Sequence, residues 1–82
     1  MPRRSKDQIL ANILSTCQGA GANKTRIVYQ VNMNFHTINP HLDLLIEKAL
    51  LDVVLGPPVL YKTTRRGERA LECLREIEAI YS

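Results

Sequence analysis

Tryptophan is absent from this chain and phenylalanine occurs once. The three tyrosines, Tyr29, Tyr61 and Tyr81, are not interleaved with basic residues, so there is no aromatic platform on which single-stranded bases would stack. Cysteine is scarce as well. Cys17 and Cys73 lie far apart and neither belongs to a Cys-x-x-Cys pair, which gives zinc or dithiol chemistry no support. Both fall on apolar helix faces and read as small buried hydrophobes. No apolar run approaches the roughly 20 residues of a membrane span. The start, Met1-Pro2-Arg3-Arg4-Ser5-Lys6, leads into an amphipathic segment and not into the apolar core of a signal peptide, so a cytoplasmic protein is expected. Gly19-Ala20-Gly21 is a helix terminator, not a G-x-G-x-x-G phosphate loop. His36 and His41 are five residues apart, not the i, i+4 pair of a helical metal site. With no nucleophile–base pair and no paired carboxylates in a plausible pocket, neither an enzyme, a metal, a cofactor nor a small-molecule substrate is expected.

What is present is one small domain's worth of chain. Eighty-two residues with 45% hydrophobic content suit a globular fold with a modest core, of the size often supplemented by oligomerisation. The net charge of +3 is mild, but its placement is uneven. Arg3, Arg4, Lys6, Lys24, Arg26, Lys62, Arg65, Arg66 and Arg69 fall in an N-terminal arm, a second helix and a hairpin-to-helix junction, while Glu68, Glu72, Glu76 and Glu78 balance the last stretch. That distribution separates a phosphate-facing side from a solvent- or partner-facing one.

Capping and periodicity divide the chain into six elements. Ser5 with Gln8 forms a capping-box pattern for a helix from Lys6 to Gln18, with Ile9, Leu10, Ile13, Leu14 and Cys17 on one face. Asn23 caps a short helix over Lys24–Val31, and Asn32-Met33-Asn34 is a turn whose last residue caps a third helix reaching about Ala49. Phe35, Ile38, Leu42, Leu45, Ile46 and Ala49 share one side of that helix, and His36, Thr37, Pro40, Asp43 and Glu47 the other. The apolar period runs through Pro40 unbroken, which predicts one helix with a disturbed first turn. Residues 52–55 and 59–63 read as two strands with Pro57 and Pro58 outside their pairing. Thr64 caps a last helix, in which Gly67 costs propensity but allows close packing. Its apolar stripe, centred on Ala70, Cys73, Leu74, Ile77 and Tyr81 and flanked by Leu71 and Ile80, is broader than one core needs. Residues 70, 74, 77 and 81 also have the spacing of a coiled-coil seam. The fold class is therefore mainly α with a small β-hairpin, α1-α2-α3-β-β-α4, a winged helix-turn-helix. It divides into a basic arm (1–5), the winged core (6–64) and a C-terminal helix (65–82) expected to make a homodimer.

Lys24-Thr25-Arg26-Ile27, Asn32-Met33-Asn34-Phe35, the run Leu42 to Lys48, and the run Tyr61 to Glu68 resemble, in order and spacing, the small archaeal winged-helix DNA-binding proteins of predicted transcriptional-regulator type. Their best-known members are chromatin-associated dimers in which the fourth helix continues into an antiparallel coiled coil. The resemblance implies a regulator or nucleoid-associated protein that binds double-stranded DNA. In that mode the start of helix 3 enters the major groove, with His36, Thr37, Asn39 and Pro40 nearest the bases. Phosphate contacts would come from Lys24, Thr25 and Arg26 at the start of helix 2, from Lys62, Arg65 and Arg66 at the hairpin-to-helix junction, and from Arg3 and Arg4. A dimer would use Leu71, Leu74, Ile77, Ile80 and Tyr81, in a coiled coil much shorter than the family's. The recognition helix has no Arg or Lys before Lys48 and carries Asp43 and Glu47 on its outer face, so either weak sequence specificity or docking by the extreme N-terminus of helix 3 alone is expected. The same acidic face, with the apolar wing, also fits the alternative of a winged helix that binds protein and not DNA.

Overall fold

A computed structural model describes residues 6–81 of the chain, the side chain of Tyr81 excepted. The arm residues Arg3 and Arg4, the expected cap Ser5 and Tyr81 as an interface side chain lie outside the described residues. The order is α1 (Lys6–Thr16), α2 (Lys24–Val31), α3 (Phe35–Glu47), β1 (Leu51–Val54), β2 (Leu60–Thr63) and α4 (Arg65–Tyr81), the winged-helix order read from the sequence.

Side-chain caps set the helix-turn-helix. The Asn23 side chain accepts the Arg26 N–H at 2.8 Å at the start of α2. Asn32 ends that helix in the left-handed region, φ 60°, where asparagine is tolerated better than most residues. Two residues on, Asn34 opens α3 with a reciprocal capping box. Its side chain accepts the Thr37 N–H at 2.8 Å, and its own N–H donates to the Thr37 hydroxyl at 3.3 Å. The helix then runs unbroken through Pro40. His36 and Pro40 are both exposed, and at a surface position water can replace the donor that proline lacks. The helix stops short of the expected Ala49, which adopts φ 60°. Ala49 N–H bonds Ile46 C=O at 3.0 Å and Leu50 N–H bonds Leu45 C=O at 2.9 Å, the paired closure of a Schellman turn with alanine where glycine is usual.

The hairpin is antiparallel, Leu51 facing Thr63 and Val54 facing Leu60, and both prolines lie outside the ladder as expected. The outer edge of β2 is covered by an addition that periodicity did not indicate. Ala22 and Tyr61 exchange two backbone hydrogen bonds, at 2.9 and 2.8 Å. A Cβ on Gly21 would stand 2.8 Å from the Tyr61 carbonyl, and Gly21 has φ 91°, so the glycine serves the strand contact as well as the turn.

Ile13, Leu14 and Cys17 meet Ile27 and Val31 of α2, Ile38, Leu42 and Leu45 of α3, and Leu51 in one core. Three expectations about its margins are corrected. Phe35 and Ile46 are 49% and 36% exposed, and Ala49 is exposed too, because the core covers only the central line of the α3 stripe. Cys73 is exposed whereas Cys17 is buried. Leu71 is 2% exposed and part of the monomer's own core, so it is not available to a partner. The first turn of α4 comes close enough to do this because Gly67 is buried with its Cα against the Leu50 carbonyl, where a Cβ would collide. Thr64 completes the junction: its hydroxyl donates to Ala49 C=O at 2.7 Å and accepts the Gly67 N–H at 2.9 Å.

Candidate nucleic-acid interface

His36, Thr37, Asn39 and Pro40 are all exposed near the start of α3, but they are not equally free. The Thr37 hydroxyl is engaged in the cap, 3.0 Å from Asn34 Oδ1, leaving chiefly its methyl group to offer a base. Lys24 Nζ donates to Asn39 Oδ1 at 2.7 Å. The pair joins the first residue of α2 to the second turn of α3, and so couples a residue expected on phosphate to one expected on a base. Nothing in the linear pattern marks it, because it depends on the angle at which two helices meet.

The basic residues occupy two sets. Thr25 and Arg26 are exposed at the N-terminus of α2 and Lys24 is half-buried there. Lys62, Arg65 and Arg66 are exposed where β2 passes into α4. The Ala22–Tyr61 bridge ties the sets together, since the segment entering α2 is held along the edge of the strand that carries Lys62. Behind α2, burial pushes the Cys17 thiol up to about 12 against the opposing pull of the Arg26 charge, which makes it a protonated core residue and not a nucleophile.

Asp43 and Glu47 line a shallow groove of about 340 Å³ with Lys6, Pro40, His41 and Leu44. Lys6 therefore stands on the same face as the two acids and offsets them in part. His41 is half-buried with Nδ1 shielded and without a hydrogen-bond partner, in keeping with a packing residue. Among the described residues no group of three or more His, Cys, Asp or Glu side chains is placed to hold a metal ion, and no helix is long and apolar enough to cross a membrane.

On α4, Leu74 is half-buried, and Ile77 and Ile80 are 44% and 78% exposed. Val53, Val54 and Val59 of the wing are each about half exposed and Leu55 is 83% exposed. Tyr29 is 82% exposed and belongs to no core.

A family model described as winged helix-turn-helix matches residues 3–82. The chain belongs to the winged helix-turn-helix family. Among solved structures this family member is similar to Sso10a-2, a DNA-binding protein from Sulfolobus solfataricus, with a TM-score of 0.87 at 22% identity over 95% of this chain and 82% of that one. The likeness bears out the resemblance to archaeal winged-helix proteins at the level of fold. No curated protein matches the sequence significantly.

Proposed function

We propose that this winged helix-turn-helix protein is a non-enzymatic, cytoplasmic protein that binds double-stranded DNA as a homodimer, in a regulatory or nucleoid-associated role. The observation that carries the reading is the pairing of two basic sets on one frame. Lys24, Thr25 and Arg26 begin α2 beside the exposed start of α3, and the strand bearing Lys62 is hydrogen-bonded to the segment that leads into α2. Helix N-termini and flanking cations hold phosphates, and the start of α3 then meets the bases. Sso10a-2, whose fold this chain shares, is a DNA-binding protein, and that property is carried over here as part of the proposal.

If roughly six phosphates are neutralised per monomer, the affinity for random duplex falls with salt at a log–log slope of about −5. A fluorescence-anisotropy titration against random duplex at low salt tests this. Absence of binding at micromolar protein would sink the DNA reading.

The dimer rests on Ile77 and Ile80, which α4 exposes beyond the monomer's own core, together with the outer side of Leu74, which packs in part against that core. Sedimentation equilibrium is expected to give a dimer at tens of micromolar, and Ile77→Asp with Ile80→Asp a monomer. The exposed wing valines and Leu55 favour the second reading, a module that binds protein through the wing. That reading predicts no affinity for DNA under the same conditions.

A further inference from the structure

Asparagine reads adenine with both ends of its carboxamide: Oδ1 accepts from N6–H and Nδ2 donates to N7. In this protein one of those ends is taken. Lys24 Nζ lies 2.7 Å from Asn39 Oδ1, and an ammonium has donors only. The oxygen's second lone pair is left as a weaker acceptor for adenine. An N6–H approaching Oδ1 would meet the ammonium beside it, donor against donor. The bond is charge-assisted and so stronger than the neutral one a base would offer in exchange. Nδ2, with two hydrogens, remains the group of the Asn39 carboxamide that has no part in this bond.

We propose that Lys24 is a specificity-determining positioning residue, which holds the Asn39 carboxamide so that Asn39 acts as a donor-only reader of the major groove. A donor-only reader selects the base with two adjacent acceptors. Guanine presents N7 and O6, adenine only N7 beside a donor. The preference of this recognition helix is thereby turned toward guanine without an arginine, which α3 does not contain. The Thr37 hydroxyl does not compete for the role, being held in the Asn34 cap. The inference rests on the proposed DNA binding, deepening it from phosphate contact to base choice.

Selection from a randomised duplex library at low salt tests it, with the full chain, Asn39→Ala, Lys24→Met and Lys24→Arg run in parallel. The contacted position is the one whose preference Asn39→Ala flattens. There the natural chain is expected to favour guanine over adenine by about tenfold, the scale of one good side-chain-to-base pairing. Lys24→Met frees Oδ1 and is expected to turn the preference to adenine. Lys24→Arg keeps a donor on Oδ1 and keeps guanine. The lock is overturned, with DNA binding left standing, if Lys24→Met binds with unchanged guanine preference, if the natural chain favours adenine, or if Asn39→Ala alters no position. Should Lys24→Met not fold, the natural chain and Asn39→Ala decide by themselves between guanine and adenine. Failure of the natural chain to retain any duplex overturns the DNA reading and the lock together.

Discussion

Around the turn from α2 to α3, polar side chains are bound to one another or to backbone: Asn23 to Arg26 N–H, Asn34 to Thr37, Lys24 to Asn39. Along the wing and the far half of α4, large apolar side chains stand exposed among the charged ones, namely Val53, Val54, Leu55, Ile77 and Ile80. The first region spends its side chains on holding backbone and amide groups at fixed angles, which suits recognition of a rigid polar partner. The second leaves apolar area in water, which is relieved only by another apolar surface. A chain of this size has room for one core, and the exposed side chains of both regions lie outside it.

The largest effect is expected where the regions meet. Gly67→Ala drives a methyl group into the Leu50 carbonyl at the end of the α3 turn and should lower stability by about 3 kcal/mol, read from chemical denaturation. An unchanged midpoint would mean that α4 is not seated against the helix-turn-helix as described. Next is the basic junction. Arg65→Glu with Arg66→Glu is expected to weaken binding to random duplex about a hundredfold at low salt, while Arg65→Gln with Arg66→Gln reduces the salt slope by about 2. If slope and affinity are unchanged, DNA contact is confined to α2 and α3 and the contrast between the regions is sharper than proposed.

The two cysteines give a third comparison. Cys73 is expected to react with a thiol reagent in the folded protein at pH 8, and Cys17 only after unfolding. The Cys17 thiol is raised by burial from 9.0 to about 12, so above pH 9 the unfolded chain loses a proton that the folded chain keeps. The stability this supplies is whole below pH 9 and is lost as pH rises toward 12, about 2 kcal/mol of it by pH 10.5. Denaturation of the natural chain and of Cys17→Val at pH 8 and 10.5 checks this, the variant being free of that part of the decline. The smallest effect belongs to the two left-handed helix ends. Ala49→Gly should stabilise by about 1 kcal/mol, since alanine holds φ 60° there at a cost that glycine escapes. Asn32→Gly should change stability by only a few tenths of a kcal/mol, because asparagine tolerates that region. Equal gains at both positions would remove the distinction.

Much of the fold was legible because it depends on local chemistry. Asn23, Asn34 and Thr64 are caps that act within three residues, and α2 has the bounds its caps and apolar period predict. The hairpin was legible from its β-branched runs and its prolines, to within one residue at the strand ends. The site was legible in part. The residue types at the start of α2 and α3 pointed to phosphate and base, but the engagement of Thr37 and Asn39 did not show, nor did the Ala22 bridge. Periodicity names an apolar face without saying how much of it a neighbour covers, which is why Phe35 and Ile46 were expected inside and Leu71 outside.

By itself, then, the sequence determined the order of elements, the winged helix-turn-helix class and the uneven placement of charge, all of them consequences of interactions a few residues long. Tertiary structure decided which cysteine is buried, that Leu71 belongs to the monomer, that the segment before α2 joins the edge of the hairpin, and that Lys24 reaches Asn39. Each of those depends on the distance and angle between elements, and that geometry is set by how the core packs, through contacts between residues far apart in the chain.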